Sequence, residues 1–172
     1  MILRVSDIPD DGLTIEDVSL FGAAFADRSW RLDGVHLRAE RDGDDVVVAG
    51  EIDATIPVVC GRCLEEFPAP TRADVDVRFI PRPPTGERVE LGSDDLDLDF
   101  YAGGEVNLDA LVASETALAL PMKPLCREDC RGLCPVCGGN RNLVTCACPE
   151  RAPDPRLGAL KDLAARLHHD AS

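Results

Sequence analysis

Apolar and polar positions alternate most regularly between Val35 and Pro81. Val35, Leu37 and Ala39 lie one residue apart from each other, "RDGDD" follows as a turn, and Val46, Val48, Gly50 and Ile52 resume the alternation. A period of two with a turn between predicts a β-hairpin that buries one face. After a short break, Val75, Val77 and Phe79 alternate with Asp74, Asp76 and Arg78 to give a third strand that Pro81 ends. Upstream, Val18, Phe21, Ala24 and Phe25 stand at helical spacing and predict a short helix within 14–27, interrupted by Gly22. "LDLDFY" reads as a candidate edge strand.

The period changes after residue 106. Asn107 is a good N-cap, Asp109 suits the first turn, and Leu108, Leu111, Val112 and Leu118 mark an apolar stripe, so a helix is predicted near 107–120, ended by Pro121. Periodicity then disappears through a cysteine- and glycine-rich stretch. It returns after Asp154 and Pro155, which suit an N-cap and first helical position, with Leu157, Leu160, Ala164 and Leu167 at helical spacing. His168 and His169 at its end read as solvated tail residues. The predicted fold is α+β. A core domain over 1–121 carries an N-terminal extension, an antiparallel sheet from roughly 35–80, an acidic loop over 81–105 and the 107–120 helix. A cysteine-rich segment, 122–151, and a C-terminal helix within 152–172, packing back on the core, complete it.

Charge and composition narrow the function. Lys and Arg number 18 against 32 Asp and Glu, a net charge of −14. Such a chain repels phosphate backbones at long range and attracts basic partners. Aromatic residues make up 4%, too few for a reader of stacked bases. The loop 81–105 sets seven carboxylates (Glu87, Glu90, Asp94, Asp95, Asp97, Asp99 and Glu105) against Arg82 and Arg88, which is either a solvated loop or an acidic docking surface. The start "MILRVSDIPDDG" lacks the apolar run of a signal peptide, and no window approaches a membrane span. A cytoplasmic location is expected, where thiols stay reduced.

In that setting the eight cysteines read as metal ligands. They fall as Cys60-x2-Cys63 and Cys126-x3-Cys130-x3-Cys134-x2-Cys137-x8-Cys146-x-Cys148. Tetrahedral Zn²⁺ takes four thiolates, and a C-x2-C pair lets the chain turn and present two sulfurs to one ion. Gly61, Gly138 and Gly139 ease turns in which backbone N–H groups point at sulfur. Two structural Zn²⁺ ions are predicted, which would lower the net charge to roughly −18. The preferred pairing puts Cys134, Cys137, Cys146 and Cys148 on one ion, since they form a compact unit. Cys60, Cys63, Cys126 and Cys130 would then close a long loop as a tertiary cross-link. The competing pairing groups Cys126, Cys130, Cys134 and Cys137, and spacing alone leaves both open.

A catalytic zinc site needs an open coordination position, usually with His or carboxylate ligands. No H-E-x-x-H occurs, and none of the three His residues lies among the cysteines. "CGRC" also resembles a thioredoxin-type redox pair, but Pro68 and Pro70 preclude the long helix that must follow. A redox-regulated zinc-thiolate chaperone, releasing metal on oxidation, stands as the alternative function.

"CGRCLEEF", "LALPMKPLCREDCRGLCPVCGGNRNLVTCACPE" and "DPRLGALKDL" together resemble the YceD family, the large ribosomal RNA subunit accumulation proteins. The blocks match in order and spacing over about 46–167, whereas residues 1–34 carry less of the likeness. The resemblance implies a non-enzymatic role in ribosome biogenesis, with large-subunit ribosomal RNA or a pre-ribosomal particle as partner. A small basic large-subunit ribosomal protein is a second candidate partner, and no membrane is involved. Two modes of binding follow. Lys123, Arg127, Arg131 and Arg141, in a segment where five basic residues face three acidic ones, are candidate RNA contacts. Asp94, Asp95, Asp97 and Asp99 are candidate contacts for a basic protein.

Overall fold

A computed structural model describes residues 1–83, 98–149 and Arg156. Residues 84–97 of the acidic loop, with Glu87, Glu90, Asp94, Asp95 and Asp97, lie outside the described residues, as do the expected C-terminal helix apart from Arg156 and the tail residues His168 and His169. The chain divides into two compact units. One comprises Met1–Cys60 and Glu65–Cys126; the other comprises Gly61–Leu64 and the chain from Arg127 onward.

In the first unit the alternating residues form strands as their period requires. The elements are β1 (Ile2–Arg4), β2 (Leu13–Ile15), β3 (Arg31–Asp42), β4 (Asp45–Val59), β5 (Glu66–Pro81), β6 (Leu98–Tyr101), β7 (Glu105–Asn107) and α1 (Leu108–Leu118). The main sheet has the order β2-β3-β4-β5-β6, and β1 pairs with β7 in a separate ribbon. β2 through β5 are antiparallel neighbours, while β6 joins the edge of β5 in parallel. The edge strand expected from "LDLDFY" therefore exists, but it makes the sheet mixed. The Tyr101 hydroxyl fixes it by donating to the Asp44 carbonyl at 2.5 Å. The architecture is α+β, mostly strand with one α-helix among the described residues.

Val35, Leu37 and Ala39 of β3, Val46, Val48 and Ile52 of β4, and Ala73, Val75 and Phe79 of β5 all point to the core. α1 covers that face with Leu108, Leu111 and Val112. Its N-terminus is closed as its sequence predicts, with the Asn107 side chain accepting from the Ala110 N–H at 3.1 Å. The β3–β4 turn is the two-residue link Gly43–Asp44, since Asp42 pairs with Asp45. Gly50 faces the backbone of β3 so closely that a Cβ there would lie 1.9 Å from the His36 carbonyl oxygen. No other residue fits that position.

Two features depart from the sequence reading. The expected helix within 14–27 is a single 3₁₀ turn, Val18–Phe21, which Asp17 caps by accepting from the Ser19 N–H. One turn suffices to bury Phe21, and Ala24 follows it into the core. Together with Leu3, Ile8 and Ile15 these residues anchor the first thirty positions on the core. The second departure is that β5 begins at Glu66, directly after a six-residue loop, and not near Ala73. The two strands pair without interruption from Val46 with Phe79 to Val59 with Glu66. Pro68 and Pro70 disguised this. Pro57 faces Pro68, and Thr55 faces Pro70, two steps away. These pairs occupy the same non-hydrogen-bonded class of the ladder, so the missing N–H groups point away from the partner strand and cost no ladder bond.

Candidate metal centre

The uninterrupted β4–β5 hairpin makes Cys60–Glu65 its loop. The Cys60 N–H donates to the Glu65 carbonyl at 2.9 Å and closes the turn. Leu64 takes a left-handed conformation there, φ 61°, where the sequence pointed to Gly61. A long hairpin thus holds the C-x2-C pair at its tip, and both sulfurs are buried, Cys60 at 0% and Cys63 at 3% exposure.

The cysteine-rich unit repeats this device on a smaller scale. Leu133 and Asn140 form an antiparallel bridge, and Cys134–Gly139 turns between them. The Cys134 N–H donates to the Gly139 carbonyl at 2.8 Å, and the Gly138 N–H returns to the Cys134 carbonyl at 2.9 Å. Arg62 ties Gly61–Leu64 to the rest of this unit, its Nη1 donating to the carbonyls of Cys130 at 3.0 Å and Glu128 at 3.2 Å. The Leu133 N–H donates in turn to the Arg62 carbonyl at 3.1 Å. A glycine is needed opposite, because a Cβ on Gly132 would lie 3.0 Å from that same carbonyl and its φ is +67°.

These turns gather the sulfurs into two quartets. Cys60, Cys63, Cys126 and Cys130 form one; Cys134, Cys137, Cys146 and Cys148 form the other. Within each, the sulfurs all lie within 4.8 Å of one another. This is the grouping that compactness favours, and Cys126 and Cys130 do not join Cys134 and Cys137. None of the eight is in a disulfide. A tetrahedral ion with sulfur ligands at about 2.3 Å sets its sulfurs about 3.8 Å apart, a spacing within the 4.8 Å limit that each quartet meets. Each offers four soft donors and no oxygen or imidazole, a set that leaves no coordination position open.

Electrostatics within the second quartet is graded. The backbone N–H groups of Cys137 and Val136 point at the Cys134 sulfur and, with the Cys146 thiol, bring its pKa down to about 6. Cys148 hydrogen-bonds to Cys137 and, partly desolvated among the other sulfurs, is pushed up to about 12. Within the set, deprotonation is therefore easiest at Cys134 and hardest at Cys148.

The sequence did not single out Arg62, Asn140 or Asn142 as supports of these quartets. Asn142 donates from Nδ2 to the Cys130 sulfur at 3.3 Å, a link between residues twelve apart that no local spacing reveals. An asparagine doublet in a glycine-rich loop was the available signal.

The candidate nucleic-acid contacts Lys123, Arg127, Arg131 and Arg141 are all exposed. Arg127 pairs with Asp129 at 3.5 Å. Arg131 and Arg141 flank the Leu133–Asn140 bridge, and the Arg141 N–H donates to the Gly132 carbonyl at 2.9 Å. Of the candidate acidic contacts, Asp99 is among the described residues, on β6. It lines a groove with Asp74 and Asp76 of β5 and Glu115 of α1, together with the apolar side chains of Val77, Leu111 and Leu118. Among the described residues, no helix is long and apolar enough to cross a membrane.

No solved structure matches the chain. An uncharacterized protein of Mycobacterium leprae is 30% identical over 129 residues, 75% of this chain and 58% of its own length. Uncharacterized proteins of Mycobacterium bovis and Mycobacterium tuberculosis are each 31% identical over 102 residues, 59% of this chain and 48% of theirs. The chain thus spans about half the length of these curated relatives. A family model described as large ribosomal RNA subunit accumulation protein YceD matches residues 48–164. The matched span starts within β4 and takes in all eight cysteines, and the family is named for an accumulation role, not for a reaction. On this match, which covers more than half of its residues, the chain belongs to the YceD family.

Proposed function

We propose that this chain promotes accumulation of large-subunit ribosomal RNA as a binding protein without catalysis. On this reading each cysteine quartet holds a structural Zn²⁺ ion, and the acidic body holds a small basic large-subunit ribosomal protein on its way to the pre-ribosomal particle. Family membership supports the setting. Zinc suits a set of four thiolates, and a closed tetrahedral shell is a structural site. The observation that carries the choice of partner is charge. The net value is −14, and Asp74, Asp76, Asp99 and Glu115 line one groove together with apolar side chains. Such a surface suits the basic and aliphatic side chains of a ribosomal protein segment and repels RNA.

The exposed Lys123, Arg127, Arg131 and Arg141 favour a second reading, in which the cysteine-rich segment touches ribosomal RNA directly. Each four-thiolate zinc site would carry about −2, which offsets the cations near it and ranks this reading second. Crosslinking in growing cells separates the two. The first reading expects a basic ribosomal protein as the captured species, released when Asp74, Asp76 and Asp99 are changed to Asn; unchanged capture by that variant contradicts it. Direct RNA contact expects a log affinity that falls linearly with log salt, and an affinity that weakens when Arg127 and Arg131 are changed to Glu. Absence of RNA binding at low salt removes it.

A further inference from the structure

Asn142 stands between two sets of sulfurs. Its orientation is fixed by a backbone donor: the Arg131 N–H donates to Oδ1 at 2.8 Å, so the amide nitrogen must face the other way. There both of its hydrogens are used. One goes to Asn140 Oδ1 at 2.9 Å and the other to the Cys130 sulfur at 3.3 Å. Asn140 is locked in turn, because its Oδ1 also accepts the Asn142 N–H at 3.0 Å and its carbonyl accepts the N–H groups of Leu143 and Val144, each at 3.0 Å. The Arg141 N–H anchors the same loop on the Gly132 carbonyl. The loop runs between Cys137 and Cys146, so its two ends belong to the quartet of Cys134, Cys137, Cys146 and Cys148. The sulfur it touches belongs to the other quartet.

We infer that Asn142 is a positioning residue that couples the two quartets, so that filling the quartet of Cys134 raises the metal affinity of the quartet of Cys60. The inference rests on reading both quartets as metal sites. Closing the Cys134 quartet pins both ends of the loop and orders Asn140 and Asn142. The amide donor then arrives in place beside Cys130 without further ordering cost. Its bond to that sulfur strengthens once the sulfur is a thiolate, which is its state as a metal ligand. Linkage makes the effect reciprocal: an ion at the Cys60 quartet must tighten the Cys134 quartet by the same factor.

The test is a titration of the full-length, reduced, metal-stripped chain with Co²⁺, followed by competition with Zn²⁺. The thiolate-to-cobalt and d–d absorption bands report tetrahedral sites. The unaltered chain should fill two such sites. Changing Cys146 and Cys148 to Ser should leave one site, that of Cys60, with an affinity about 10-fold to 100-fold lower than it has in the unaltered chain. In the Asn142→Leu background the Cys60 quartet should already be weakened to that extent, and breaking the Cys134 quartet should weaken it no further. An equal loss with and without Asn142 overturns the coupling while leaving both metal sites standing. Absence of tetrahedral cobalt bands in the unaltered chain overturns the metal reading and the coupling with it. If Asn142→Leu abolishes binding at the Cys60 quartet, Asn140→Ala decides: it keeps the donor but removes its support, and should show a partial loss of coupling. Full coupling in Asn140→Ala overturns the inference.

Discussion

The two units of this chain are held by different means. The strand-rich unit buries Leu37, Ile52, Ile56, Leu108 and five valines at less than 2% exposure. Each such side chain contributes about 1.5–3 kcal/mol, enough in sum to order a backbone. In the cysteine-rich unit, among the described residues, the buried side chains are those of Cys63, Cys130 and Cys134. Its large apolar residues face outward: Val136 is 52% exposed, Leu143 76% and Val144 52%. Ordering its backbone costs about 1–2 kcal/mol per residue, and among the described residues no buried Leu, Ile, Val or Phe side chain offsets that. Hydrogen bonds alone are too weak in net terms, about 1 kcal/mol each. What occupies the centre is sulfur, and on the proposed reading a bound ion would supply the stabilisation that leucine and valine supply elsewhere.

The largest effect should come from removing a ligand of the second unit. Cys134→Ser should abolish binding of one metal ion per chain and expose the amides of residues 133–141 to exchange, with β3–β5 unaffected. Native mass spectrometry counts the ion and hydrogen exchange locates the loss. The converse is a cavity in the first unit. Leu37→Ala should cost about 2–5 kcal/mol in denaturant unfolding of the sheet while the metal count stays the same. Gly50→Ala should cost about 1–3 kcal/mol by forcing a methyl group into the His36 carbonyl, again without loss of metal. Asn107→Ala removes the cap of α1 and should cost about 1 kcal/mol. The smallest effect concerns Asp33. The Arg31 guanidinium, and after it the Thr55 hydroxyl, hold its carboxyl below the usual 3.8. A depressed folded value means that the contribution is present above pH 3.8 and is lost as pH falls through the folded pKa. Thr55→Val should therefore lower the unfolding midpoint at neutral pH, and the difference from the unaltered chain should vanish in strong acid.

These contrasts also explain what the sequence revealed. In the sheet each residue's fate follows from its parity, so Val35 through Phe79 could be assigned to the core face from alternation alone. Asn107 announced α1 because a cap is a local interaction. The sulfur grouping could be ranked because Cys134 to Cys148 are close in sequence. The start of β5 was hidden because Pro68 and Pro70 look like breakers, whereas in the observed register they pair with Pro57 and Thr55 at positions that need no N–H. The helix expected near Phe21 shrank to one turn because two buried residues there need no more. Asn142 was invisible for a different reason: its partner is twelve residues away, across a turn whose geometry no spacing rule encodes.

The dependence of the cysteine-rich unit on metal is tested most directly by hydrogen exchange of the anaerobically purified chain before and after chelation. The account predicts that the amides of Cys134, Gly138 and Arg141 lose their protection when the ions leave, while those of β3, β4 and β5 keep theirs. Continued protection of all three in a preparation shown to contain no metal would contradict it.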